Sequence, residues 1–398
     1  MTRRTGMRPL RIAMIGQKGI PARYGGVETH VEAIATRLAG RGHEVWAFCR
    51  SRLRPGLDGE PLPDGYHENG RSAEYHGVRL AYRPSLHTKH TDAASHALWC
   101  TVEASCAHRF DLVHLHGIGP SSCAPVARLF GRPVVSTFHA LDWRQVKWGH
   151  RARELLHRGE ALGARHSDAI IAVSRLMQAH VQAAHGIDAT YIPNGAAPHD
   201  APPDPAPLAE WGLKPGGYIL TVGRIIPDRE LHTLIEAFNQ FPSTLRLVIV
   251  GSETPRSAYS DSLQRSAGER VTFTGDVFGE RLQALYGHAL FYVLASRVEG
   301  LPITVCEAMA HGKALVLSDI PENVEVGGAA ARYFRCGDVN ALLEALSELA
   351  SDESVRRRLG DEGKRRCATV YNWDLVTDQV EGLYYRILSG GNFASRAD

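Results

Sequence analysis

Residues 295–319 read ASRVEGLPITVCEAMAHGKALVLSD. An apolar run, FYVLAS (291–296), enters Glu299, passes through a Gly-Leu-Pro turn, continues as a short helical pattern over 304–311 and ends in ALVLS. Strand, turn, helix and strand in that order make a parallel βαβ unit. Pro302 suits the helix start and Gly312 its end. The turn offers backbone N–H groups and the positive end of a helix dipole, which suits a phosphate or a sugar oxygen. Glu299 projects from the loop and Glu307 lies about a turn into the helix. Each carboxylate could hold a vicinal diol. Glu299 could instead cap the helix and Glu307 be an ordinary helix residue. Against that, Glu307 stands among Cys306, Ala308 and Met309, where an unpaired carboxylate is costly.

The same alternation extends in both directions. YILTVGR, LRLVIVG and RVTFTG precede this unit, with helical patterns over 230–241 and 280–290. After Gly223, Arg224 and Arg229 occupy the loop before a helix bearing Leu231, Leu234, Ile235 and Phe238. Two guanidiniums at the C-terminal edge of a parallel sheet can clamp an anion, although a solvated basic loop would have the same sequence. Upstream, IPNGAAPHDAPPDPAPLAEWGLKPGG carries seven prolines between Pro193 and Pro215 and reads as a linker.

Before the linker a second α/β series runs through RIAMIG, EVWAFC, DLVHLHG, PVVSTFH, DAIIAVS and ATYIP. The segment 51–77 is polar and weakly periodic, and reads as a loop. GQKGIPARYGGVETHV (16–31) joins the first strand to a helix whose apolar face is Val27, Val31, Ile34, Ala35 and Leu38. Its glycines fit neither G-x-G-x-x-G nor G-x-x-x-x-G-K-[ST], which argues against a dinucleotide enzyme or a P-loop protein. The expected domains are 8–195, a linker over 196–216, and 217–373, with a C-terminal helix over 374–389 packing back on the first. Both are Rossmann-like α/β domains with parallel sheets facing a deep cleft.

Composition sets the outer limits. Of 398 residues, 44% are hydrophobic and 22% charged, the balance of a globular protein. No apolar run is long enough to span a bilayer, and the basic N-terminus lacks an apolar signal segment, so a cytoplasmic location is expected. Seven scattered cysteines without a C-x-x-C pair read as reduced thiols and argue against a zinc site. The net charge of +2 is uneven: residues 1–200 hold 25 Lys/Arg against 17 Asp/Glu, and the remainder 20 against 26. A basic first half suits an anionic ligand or an anionic membrane face, or is simply solvated surface. His114 and His116 in VHLHG could chelate, but no third ligand stands nearby in sequence.

Together, Glu299-x7-Glu307, the Arg224/Arg229 loop and the GG opening the first helix resemble the retaining glycosyltransferases of family 4, which have the GT-B fold. The likeness covers nearly the whole chain, including IAVS, YIPNG and FTGDV. GQKGIPARYGGVETHV and HALDWRQVKW resemble a subgroup of bacterial surface-polysaccharide enzymes, some described as rhamnosyltransferases. The resemblance implies a hexosyltransferase-type enzyme (EC 2.4) that needs no cofactor or metal and takes a nucleotide-diphosphate sugar as co-substrate. Glu307 is implied to hold the ribose hydroxyls, favouring UDP or GDP over dTDP, and Glu299 to contact the sugar. Arg224, Arg229 and the N–H groups of Ile303 and Thr304 are implied at the diphosphate, with Gly25 and Gly26 approaching it from the first domain. His139 is implied beside the transferring sugar, Asp142 and Trp143 on the acceptor side, and Val277 at the base. The implied acceptor is a saccharide or lipid-linked saccharide, with peripheral membrane association and no nucleic-acid partner. A GT-B sugar-nucleotide epimerase or hydrolase, or a non-catalytic binder, is the alternative. Arg229-Glu230 departs from the family's usual Lys-Gly, placing an anion near the phosphate site, and Ala140 stands where the subgroup often has Gly.

Overall fold

The computed structural model describes residues 8–23, 25–57, 62–69, 72–86, 91–107, 109–144, 149–199, 201–253 and 257–390. The chain divides into two compact units, Met1–Pro193 with Trp373–Asp398, and Asn194–Asn372.

In the first unit the strands are β1 (Arg11–Ile15), β2 (Glu44–Arg50), β3 (Tyr66–Glu68), β4 (Ala73–Tyr75), β5 (Val78–Arg83), β6 (Leu112–His116), β7 (Val134–Phe138), β8 (Ala169–Ala172) and β9 (Thr190–Tyr191). Its helices are α1 (Gly26–Gly40), α2 (Asp92–Cys106), α3 (Ile118–Ser121), α4 (Ala124–Leu129), α5 (His150–His166) and α6 (Arg175–His185). The sheet order is β3-β4-β5-β2-β1-β6-β7-β8-β9. It is parallel except where β3, β4 and β5 pair antiparallel. The segment expected to be a loop over 51–77 therefore contains a hairpin that extends the sheet edge. Its strands are three residues each, too short for alternation to show in sequence.

The second unit contains β10 (Tyr218–Val222), β11 (Arg246–Val250), β12 (Val271–Gly275), β13 (Phe291–Leu294), β14 (Leu315–Ser318) and β15 (Ala331–Phe334). Around them lie α7 (Leu231–Gln240), α8 (Ala258–Ser266), α9 (Gly279–His288), α10 (Ile303–Ala310), α11 (Pro321–Gly327), α12 (Val339–Ser351) and α13 (Glu353–Thr369). This sheet is wholly parallel, in the order β12-β11-β10-β13-β14-β15. The proline-rich stretch after Asn194 belongs to this unit, and 206–211 forms a 3-10 turn whose Leu208 is buried. Buried Leu208 and Leu213 anchor this joining segment on the second unit.

The last helix, α14 (Trp373–Leu388), packs on α1 of the first unit. Its carboxylates meet basic residues there: Asp374 pairs with Arg37 at 2.8 Å, and Glu381 with Arg41 at 2.7 Å and His43 at 2.9 Å.

Central strands are buried on both faces, as their unbroken apolar sequences require. In each unit the strand order reverses beside the first strand, between β1 and β6 and between β10 and β13. Ligands of doubly wound folds bind at the carboxyl ends of strands at such reversals.

Candidate active site

In the second unit the reversal brings together the loops after β10 and β13. Arg224 is exposed just after Gly223, while Arg229 is half-buried in a 3-10 turn (Pro227–Arg229); both line one depression with Gly223 and Leu294. Arg229 forms an ion pair with Glu299 and donates to Ser296 Oγ at 3.4 Å. Thus one proposed phosphate ligand and one proposed sugar ligand are partners in this structure, an arrangement their 70-residue separation concealed.

Glu307 lies on α10, between buried Cys306 and Ala308. Tyr286 of α9 donates its phenol to Glu307 Oε2 at 2.8 Å. Burial pushes the Glu307 carboxyl up to about 7, and the Tyr286 hydrogen bond partly opposes that rise. Ile303 and Thr304 open α10 after Pro302, so their N–H groups have no partner within the helix. The preceding turn is latched by buried Asn194, whose Nδ2 donates to the Leu301 carbonyl at 2.8 Å. Val277 is buried in the link between β12 and α9, next to Phe278, which is 44% exposed.

Glu230 has φ +52° and occupies the position just before α7, with 1% of its side chain exposed. Thr233 Oγ1 donates to it at 2.7 Å, and Arg297 pairs with it. The left-handed backbone explains why glycine would fit here. The Glu230 carboxylate is buried and held by partners beside α7 and after β13.

In the first unit Gly25 precedes α1 with φ +150°, where a side chain would be strained, and Gly26 is exposed. His139 follows β7, and its ring stands edge-on to His30 with centroids 4.6 Å apart. His116 lies 5.7 Å from His139, so the three rings cluster. Burial holds His116 and His139 well below the ordinary imidazole range, uncharged at neutral pH. His114 lies against His116 with ring centroids 3.9 Å apart, but its two nitrogens are engaged by the Tyr384 and Thr137 hydroxyls at 2.6 and 2.7 Å. The missing companions of His116 come from α1 and from the end of β7, far away in sequence.

Asp142 and Trp143 lie in a 3-10 turn (Asp142–Arg144). The Trp143 indole N–H donates to Glu160 Oε2 at 2.9 Å. The end of HALDWRQVKW, residues 145–148, falls outside the described residues, as does Tyr24.

Two doubly wound units, one presenting cations and carboxylates at its strand reversal, define a GT-B protein. The sequence matches Glycosyltransferase Family 4 over residues 24–199 and Glycosyl transferases group 1 over 210–366. The chain belongs to this glycosyltransferase family and is a transferase. It is similar to alpha-maltose-1-phosphate synthase of Mycobacterium tuberculosis, at 27% identity over 95% of this chain and 100% of that one. It is also similar to phosphatidyl-myo-inositol mannosyltransferase of Mycolicibacterium smegmatis, at 27% identity over 92% of each. The fold matches Anabaena Alr3699/HepE in complex with UDP-glucose, with a TM-score of 0.75 and 18% identity over 94% of this chain and 99% of that one.

Proposed function

We propose that the protein transfers a glycosyl unit from a nucleotide-diphosphate sugar to an acceptor hydroxyl, with retention, in bacterial surface-polysaccharide or glycoconjugate assembly. The observation that carries this reading is the placement of Arg224, Arg229, Glu299 and Glu307 around one strand reversal. As the anomeric C–O bond breaks, negative charge grows on the departing diphosphate. Arg224, Arg229 and the Ile303 and Thr304 N–H groups stabilise that charge, as donors of an oxyanion site do. These donors take the place of a metal ion at the leaving group.

Glu307 holds the ribose diol, which favours UDP or GDP, and the backbone at Val277 receives the base. Glu299 accepts from sugar hydroxyls while keeping Arg229 oriented. From the first unit, His139 is assigned to the sugar, Gly25 and Gly26 to the phosphates, and the Asp142–Trp143 turn to the acceptor. The acceptor hydroxyl attacks the face the diphosphate leaves, its proton passing to the leaving phosphate oxygen. The relatives' names point to sugar-phosphate and phosphoinositide chemistry, in keeping with a saccharide or lipid-linked saccharide acceptor.

The test is a turnover panel of UDP-, GDP- and dTDP-sugars, with the anomeric configuration of the product read by NMR. Arg224→Ala is expected to lower kcat by about 10²–10³. Full activity in that variant and in Glu307→Ala would remove this site from the reaction. Free sugar released without transfer to any acceptor would make the protein a hydrolase.

A further inference from the structure

Away from the strand reversals, α5 and α6 converge on a buried carboxylate. Glu160 is 1% exposed on α5, and its Oε1 receives His180 Nε2 at 2.6 Å and His185 Nε2 at 2.9 Å from α6. The other oxygen, Oε2, accepts the Trp143 indole N–H. We propose that Glu160, His180 and His185 form a transition-metal site, suited to Zn2+, that braces the Trp143 turn.

Two imidazoles and one carboxylate are a zinc donor set, and the three ligand atoms all lie within 4.8 Å of one another. Zinc–ligand bonds of about 2.0–2.2 Å spread tetrahedral ligand atoms to roughly 3.3 Å, so admitting the ion needs Oε1 to withdraw by about half an ångström. The site is pre-organised. Gly163 of α5 lies so close to α3 that a Cβ there would stand 2.7 Å from Ser121 Cβ, which fixes how far Glu160 reaches. Ser174 caps α6 by accepting from the Met177 N–H at 3.2 Å, and buried Met177 and Val181 anchor that helix.

An indole on the non-ligating oxygen is the outer partner that orients a metal-bound carboxylate. The His180 and His185 side chains are 22% and 16% exposed, so solvent reaches the pair. The site braces a turn and takes no part in bond breaking, so it stands apart from the donor assignment above.

The experiment strips the full chain with a chelator and titrates it with Co2+ as a visible probe, followed by Zn2+. A tetrahedral Co2+ spectrum saturating at one equivalent and displaced by Zn2+ is expected. Glu160→Gln and His180→Ala should each weaken binding at least tenfold, and Trp143→Phe by about 10–100-fold. His139→Ala, in the other histidine cluster, should keep the signal. If Glu160→Gln fails to fold by circular dichroism, His185→Gln decides in its place. No tetrahedral spectrum, or one that survives Glu160→Gln, His180→Ala and His185→Gln, overturns the proposal and leaves Glu160 a hydrogen-bonded counter-ion.

Discussion

Tyr286 and Glu307 are joined by a 2.8 Å hydrogen bond, the phenol donating to Oε2 of a carboxylate set among apolar neighbours. The bond crosses from α9 to α10 and fixes the rotamer of a carboxylate the fold would otherwise disfavour.

If Glu307 holds the ribose diol, as proposed, its ionised form accepts from both hydroxyls. Burial that pushes this carboxyl up to about 7 should then make the donor KM fall as pH rises from about 6 to about 8. Stability should run the opposite way. Between 4.5 and about 7 the folded chain keeps a proton the unfolded chain has released, so this group's contribution falls as pH rises through that window. Glu307→Gln should therefore gain about 2 kcal/mol in urea melts at pH 8, discounted for partial solvent contact, while losing donor binding. Loss of both stability and binding would show that Glu307 is a structural carboxylate.

Glu230→Gly separates backbone strain from charge. Removing a side chain at φ +52° should recover about 1 kcal/mol, while loss of the Thr233 and Arg297 partners should cost about as much. Stability by urea unfolding should move by less than about 1 kcal/mol, and the donor KM by less than about twofold. A tenfold KM change would place Glu230 at the donor after all.

Acid should unfold the first unit early. Burial depresses the pKa of His114, His116 and His139. Below the unfolded value of 6.5 the unfolded chain binds protons that the folded chain refuses, so stability is lost as pH falls. Each group contributes up to about 1.4 kcal/mol per pH unit. Urea midpoints at pH 7 and 5.5 should differ sharply, and His116→Leu should flatten the slope by about one group's share. An unchanged slope would show His116 charged in the native state.

The parallel sheets and the turns that bound them are legible because periodicity and turn residues act locally. Val31, Ile34, Ala35 and Leu38 mark α1 wherever it packs, and Pro302 and Gly312 bound α10. What sequence concealed is set by tertiary contact. Nothing near Glu299 announces Arg229, nothing near Glu307 announces Tyr286, and Asn194 was visible only as part of a motif without a role. The partner of Glu230, Arg297, likewise arrives from the loop after β13. Glu160, His180 and His185 are also separated in sequence and brought together only by the packing of α5 and α6.

The expected membrane association would use one face of α5. No helix among the described residues is long and apolar enough to cross a bilayer. On α5, Arg151, Leu155, Arg158, Leu162 and Arg165 recur at spacings of four, three, four and three, so they share one face. Leu155 is 71% and Leu162 44% exposed, and the three arginines are exposed as well. Cations flanking apolar side chains suit the interface of an anionic bilayer. Sedimentation with phosphatidylserine vesicles should show binding that falls steeply with salt, because the charges act over a Debye length of about 10 Å at 0.1 M. Leu155→Asp with Leu162→Asp should abolish it, while turnover on a soluble acceptor stays intact because neither residue belongs to the donor site. Binding that ignores salt, or that survives the double substitution, would mean the basic first half is simply solvated surface.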